Sequence, residues 1–74
     1  MIDELDRVVL LHDLPGRKLK AGDVGTVVMV YKGGEGFEVE FMTLGGDTFA
    51  LETLRSDEVR PASDHEVAQA REVA

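Results

Sequence analysis

Cysteine and tryptophan are absent from this sequence, and tyrosine occurs once. Without cysteine the chain can form neither a disulfide nor a thiolate site for catalysis or zinc. No apolar run approaches the ~20 residues needed to span a bilayer. The first residues, Met1–Val9, are acidic and lack the positively charged start of a signal peptide. We therefore expect a cytoplasmic protein without a membrane segment.

Basic residues are scarce. Eight lysines and arginines stand against 15 aspartates and glutamates, which gives a formal net charge of −7. Because nucleic-acid affinity depends mainly on neutralising phosphates with basic side chains, this balance disfavours nucleic acid as a partner. The same charge disfavours anionic membranes and favours either solubility alone or a basic partner.

Length sets a further limit. A chain of 74 residues fits one domain, and a core of this size supplies no more than ~3–5 kcal/mol of net stability. An oligomer contact would add to that stability, so a homodimer is compatible with the sequence.

The stretch Leu19–Phe41 predicts an antiparallel hairpin. Its first strand, Thr26–Tyr31, is apolar on both faces and is expected to be central in the sheet, with Val28 and Val30 opposite Val27, Met29 and Tyr31. A glycine-rich turn follows. Phe37–Phe41 alternates strictly, which places its phenylalanines and Val39 in the core and its glutamates in water.

Three further strands are predicted around this hairpin. Alternation along Thr48–Leu54 places Phe49 and Leu51 in the core. The early loop is the connection between the predicted strands Arg7–Leu11 and Thr26–Tyr31. It is expected to contain a type II turn at Leu14–Arg17, with Gly16 in the left-handed position, and to anchor Leu19 in the core. The further strands are Arg7–Leu11, Thr48–Leu54 and Glu58–Pro61.

Five short strands with one long early loop predict an all-β fold, a small five-stranded SH3-like barrel over residues 1–61. Residues 62–74 predict a short C-terminal α-helix. Ser63 and Glu66 match a capping box at its start, and Val67, Ala70, Arg71 and Ala74 follow at helical spacing.

Three motifs resemble a known family. They are Asp6–Pro15 (D-x-V-x-L-x-x-D-L-P), Leu19–Val28 (L-x-x-G-x-x-G-T-V-V) and Thr48–Leu54 (T-x-A-L-x-T-L). Over residues 5–61 the chain resembles a widespread bacterial family of short proteins known only as a domain of unknown function. The resemblance implies a binding role without catalytic residues, such as an antitoxin-like or immunity-like protein or an accessory of an adjacent enzyme. Gly22-x-x-Gly25-x-Val27 also resembles the KOW element of ribosomal and transcription-factor barrels.

No pattern predicts catalysis or a cofactor. His12 and His65 have neither a cysteine nor a second strong ligand at metal-binding spacing. Ser63 is explained as a helix cap. Glu38 and Glu40 lie ~7 Å apart on one strand at ~3.4 Å per residue, a spacing that any solvated strand face produces. We expect a non-enzymatic protein with no cofactor and no metal.

Two binding surfaces are predicted. A protein partner would contact an acidic stripe beside the early loop, together with one face of the C-terminal helix. This surface comprises Leu14, Pro15, Glu38, Glu40, Glu52, Val67 and Ala70. The alternative is a KOW-like accessory of an RNA or transcription complex, which would bind through the basic early loop and one stacking aromatic. Those residues are Arg17, Lys18, Lys20 and Tyr31.

Overall fold

The fold is a single five-stranded antiparallel sheet in a computed structural model that describes residues 1–73. The strands lie in the order β4-β3-β2-β1-β5, so the all-β prediction and the central position of the second strand are confirmed. Short 3-10 turns follow β2 and β4. The strands are β1 (Arg7–Leu10), β2 (Val24–Tyr31), β3 (Gly36–Met42), β4 (Thr48–Arg55) and β5 (Val59–Pro61).

The sheet is open, and the predicted closed barrel is wrong. Within residues 1–73, β4 pairs with β3 alone and β5 with β1 alone, so both are edge strands. β5 has three residues and ends at Pro61. Proline has no N–H to donate to a ladder, which is compatible with its place at the end of an edge strand.

The core lies on one face of the sheet, and every strand contributes to it. The early loop adds Leu19, which is 2% exposed and exchanges backbone hydrogen bonds with Leu14 at 2.8 and 3.2 Å. Its predicted role as an anchor is confirmed. The core residues are Val8, Leu10, Leu19, Val27, Phe37, Val39, Phe41, Leu54 and Val59.

A bulge in β2 changes the predicted alternation. Val27 pairs with Val39 while Met29 pairs with Glu38, so Val28 is an extra residue between them. Val27 therefore faces the core, whereas Met29 and Tyr31 face away from it. The prediction that these three side chains share a face is wrong, because a bulge places two residues opposite one.

A second irregularity reverses one prediction for β4. Phe41 pairs with Ala50 and Met42 pairs with Thr48, which leaves Phe49 without a partner in the ladder. Phe49 is half-buried against the core. Leu51 lies on the outer side of the sheet and is 54% exposed, so its predicted core position is wrong.

The early loop contains a 3-10 turn, Pro15–Arg17, instead of the predicted type II turn. The left-handed residue is Lys18, with φ of 59°, and not Gly16. The capping N–H of Lys18 donates to the Pro15 carbonyl at 3.2 Å, which closes the turn one residue later than expected.

No α-helix occurs within residues 1–73, so the predicted C-terminal helix is wrong there; its last residue, Ala74, lies outside the described residues. The capping contacts do form: Glu66 accepts the Ser63 N–H at 2.6 Å, and Ser63 Oγ accepts the His65 N–H at 3.1 Å. They close a single turn. A short helix with a weak apolar face is marginal in water. In place of helical contacts, Glu66 pairs with Arg60 and Arg71 pairs with Asp23. No helix in the described chain is long and apolar enough to cross a membrane.

Candidate functional site

The outer face is defined here as the side of β2, β3 and β4 that points away from the core. The register places two rows of side chains across it: Met29 beside Glu38 and Thr53, and Thr26 beside Glu40 and Leu51. Directly opposed side chains in an antiparallel sheet share a face and touch. Apolar and acidic side chains therefore alternate on this surface.

Hydroxyl groups hold both outer-face carboxylates in position. Oε1 of Glu38 accepts hydrogen bonds from the Tyr31 hydroxyl at 3.1 Å and from Thr53 Oγ1 at 2.6 Å. Oε2 of Glu40 accepts from the hydroxyl of Thr48. Each carboxylate has a second oxygen that accepts nothing within residues 1–73.

The Tyr31–Glu38 contact has a spectroscopic consequence. The hydrogen bond to the Glu38 carboxylate, with smaller contributions from desolvation and from its charge, raises the pKa of Tyr31 above its ordinary value. Glu38→Gln removes that charge, so we expect the Tyr31 pKa to fall. Tyr31 is the sole tyrosine and tryptophan is absent, so phenolate absorbance during an alkaline titration reports this side chain alone.

Glu35→Gln is the matched control for this titration, since Glu35 is exposed and its side chain forms no hydrogen bond or ion pair with Tyr31. It should leave the Tyr31 pKa unchanged. An identical pKa in wild type and Glu38→Gln would show that the hydrogen bond is absent in solution.

Glu52 does not belong to the outer face. It pairs with Val39, which is fully buried, and its carboxylate lies 3.3 Å from Nε of Arg17. The predicted stripe is therefore divided: Glu38 and Glu40 lie together, while Glu52 lies on the core side of the sheet under the early loop. Leu14 packs against the core from that same loop, and Pro15 begins its 3-10 turn.

The remaining predicted residues are also separated. Val67 is exposed in an extended tail, and Ala70 lies near the end of the sheet, so they share no helix face. Arg17 contacts Glu52 on one side of the sheet while Tyr31 contacts Glu38 on the other. The structure thus does not bring Tyr31 to the basic loop.

The C-terminal tail is fixed by two arginine–carboxylate pairs. Arg60 binds both oxygens of Glu66, at 2.9 and 2.6 Å. Arg71 binds both oxygens of Asp23, at 2.9 and 2.5 Å. The hydrogen bonds from Arg60, and then from the Ser63 N–H, lower the pKa of Glu66 to about 2. Sequence reasoning missed both pairs, because nothing local marks a contact between residues 23 and 71.

A third polar cluster joins the end of β1 to the turn before β5. Glu58 accepts the Arg55 N–H at 2.7 Å and contacts His12 Nε2 at 3.0 Å. The backbone hydrogen bond from Arg55, then the contact with His12, lower the pKa of Glu58 against the opposing effect of burial. Among residues 1–73, no group of three or more histidine, aspartate or glutamate side chains is placed to hold a metal ion.

These features define a class of protein: a small all-β domain with an open sheet and a mixed apolar and acidic outer face. The chain belongs to the family described as Domain of unknown function (DUF4926), whose model matches residues 4–61. This match confirms the resemblance inferred from the three motifs, and the tail follows the matched stretch. No curated protein and no solved structure matches the chain.

Proposed function

We propose that this protein is a non-enzymatic module that binds another protein through its outer face. One observation carries the proposal: Glu38 and Glu40 are oriented by hydroxyl groups beside three half-exposed side chains, Met29, Tyr31 and Leu51. Tyrosine and methionine are enriched at protein interfaces, and few residues supply most of the binding energy there. A rigid sheet also loses little conformational entropy on binding.

A basic partner surface fits these carboxylates. Complementary charge speeds encounter and fixes register more than it adds affinity, and the net charge of −7 extends the attraction beyond the contact itself. A toxin-like protein or an enzyme with a basic patch, acting in the cytoplasm, would match the antitoxin-like or accessory role that the family resemblance implies.

The strand order supports an SH3-like description of the domain. A long loop joins β1 to β2, β2 to β4 form a meander, and short β5 returns beside β1. We propose that the sheet is an opened relative of that barrel. In this arrangement the outer face is a continuous three-stranded surface.

Affinity capture from the native host tests the proposal. We expect the wild-type chain to retain a reproducible protein partner. Glu38→Lys/Glu40→Lys should weaken that capture by roughly tenfold or more, because each lysine both removes an acceptor and places like charges together. Circular dichroism would verify that the double variant is folded.

Glu4→Lys/Glu35→Lys is the matched control: it makes the same change in net charge at two exposed positions and should retain the partner. Equal capture by both double variants, or no reproducible protein partner for the wild type, would contradict binding at the outer face.

The alternative function, a KOW-like accessory of an RNA or transcription complex, is supported by the Gly22–Gly25 pattern and by the basic residues Arg17, Lys18 and Lys20. It is the weaker proposal because Arg17 already contacts Glu52. RNA in the captured material, released as salt is raised, would favour it over the protein-binding function.

A further inference from the structure

Asp23 forms a shaped acceptor for a guanidinium group. Arg71 Nε lies 2.9 Å from Oδ1, and its terminal nitrogen lies 2.5 Å from Oδ2. The Lys20 N–H also donates to Oδ2 at 2.9 Å, and the Lys18 carbonyl accepts from Arg71 at 3.0 Å. The planar guanidinium of Arg71 makes its two contacts with Asp23 and its contact with the Lys18 carbonyl at the same time. The ammonium group of lysine cannot make all three.

The surroundings of Asp23 favour the charged form of its carboxyl group. Burial alone would raise its pKa, but the hydrogen bonds from Arg71 and from the Lys20 backbone hold the pKa below its ordinary value. Asp23 also donates its own N–H to the Lys20 carbonyl at 2.9 Å. The Asp23 carboxylate is therefore held by a hydrogen-bonded turn of the early loop.

An apolar groove adjoins this acceptor. One wall is the end of the sheet and the β3–β4 turn, and the other is the tail over residues 68–73. The sheet side of the groove is lined by Leu19, Val24, Phe41, Met42, Leu44 and Phe49.

The tail covers this groove incompletely. It contributes small side chains such as Ala68 and Ala70, while Met42 stays 52% and Leu44 97% exposed. The groove side lies within the family-matched residues 4–61, and the tail lies after them. An extended segment with an arginine and larger apolar neighbours would make the same ion pair and bury more apolar area.

We propose that the sheet side of this groove, beside Asp23, binds an extended, arginine-bearing segment of another protein, and that the chain's own residues 68–73, which form the other wall, cover this surface as an intramolecular competitor. This surface includes neither Glu38 nor Glu40, and the proposal stands whether or not those carboxylates bind a partner. Because a short tether gives the tail a millimolar-range effective concentration, an external segment binds well when it outcompetes the tail or when the tail is released.

A peptide with the sequence of residues 66–73 tests this in trans. Labelled peptide would be titrated by fluorescence anisotropy into full-length wild type and full-length Arg71→Ala. We expect binding to Arg71→Ala at least about tenfold tighter than to wild type, since that variant's own tail has lost its ion pair. Asp23→Asn/Arg71→Ala should lose the binding.

The double variant could lose binding because it fails to fold, so a second control changes the peptide and leaves the protein the same. Peptide carrying Arg71→Lys, added to the same Arg71→Ala protein, should bind several-fold more weakly than the arginine peptide. No binding of the arginine peptide to Arg71→Ala, or equal binding of the arginine and lysine peptides, would overturn the proposal.

A second copy of the chain is the competing source of the arginine. Asp23→Arg and Arg71→Glu each oppose like charges at the contact, yet a mixed dimer that exchanges tails would satisfy both contacts. If the two variants dimerise on mixing and wild type dimerises alone, the groove serves tail exchange and the assignment to another protein is overturned. Monomers throughout would support the assignment.

Discussion

Replacing Phe41 by alanine is expected to unfold most of the protein. Phe41 lies in β3, is 3% exposed and belongs to the core cluster. Removing a buried phenylalanine side chain costs ~3–5 kcal/mol, which equals the ~3–5 kcal/mol of net stability expected of so small a core. Circular dichroism and urea denaturation would measure the loss as the free energy of unfolding.

Leu51→Ala is the informative companion to Phe41→Ala. Strict alternation along the sequence places Leu51 in the core, whereas the register of β3 with β4 places it on the outer face opposite Glu40. At 54% exposure its truncation should change the free energy of unfolding by about 0.5 kcal/mol or less. A loss as large as that of Phe41→Ala would contradict the register, and a Phe41→Ala variant as stable as wild type would contradict the core.

The hairpin was predictable because its information is local. Phe37, Val39 and Phe41 recur at every second position, and each is buried. The central place of β2 also followed from local composition, since a strand apolar on both faces needs neighbours on both sides. Such patterns require no knowledge of which residues distant in sequence come together.

The bulges were not predictable, and they account for the errors in side-chain facing. One extra residue at Val28 and one at Phe49 reverse the faces of the residues on one side of each bulge. No residue type marks either position, because Val28 and Phe49 are ordinary strand formers. The open sheet likewise depends on which strands pair, which alternation does not determine.

The candidate outer face was half predictable. Glu38 and Glu40 follow from alternation within one strand. Their hydroxyl partners Thr48 and Thr53 belong to the next strand. Which hydroxyl meets which carboxylate depends on the register of β3 with β4, and the extra residue Phe49 shifts that register. The extra residue Phe49 also explains why Glu52 was wrongly predicted to share a stripe with Glu38 and Glu40.

The tail shows where local signals mislead. Ser63 and Glu66 match a capping box: Glu66 accepts the Ser63 N–H, and Ser63 Oγ accepts the His65 N–H, yet no helix follows within residues 1–73. The Arg60–Glu66 and Arg71–Asp23 pairs fix this segment, which has no regular secondary structure. Tertiary contacts thus override the weak helical preference of a short segment.

Gly25→Ala is the second change expected to have a large effect. Gly25 lies inside β2, opposite Val8. A Cβ at this position would lie 2.5 Å from Cγ1 of Val39, 3.0 Å from Cε1 of Phe41 and 3.1 Å from the Glu40 carbonyl oxygen. The first of these distances is not tolerated, so Val39 or the backbone of β3 must move. Overpacking of this kind costs ~1–3 kcal/mol, measured as a lower urea midpoint and melting temperature.

Gly16→Ala makes the same chemical change where there is room for it. No heavy atom lies within 4 Å of a Cβ at Gly16, and its φ is not positive. Adding a methyl group there reduces the entropy of the unfolded chain without a native-state cost, so stability should stay equal or rise by up to ~1 kcal/mol. A Gly25→Ala variant as stable as Gly16→Ala would mean that β2 and β3 are not packed as closely as the structure shows. A clear difference in stability would show that glycine is required at position 25 by the close approach of β3, and not by a turn.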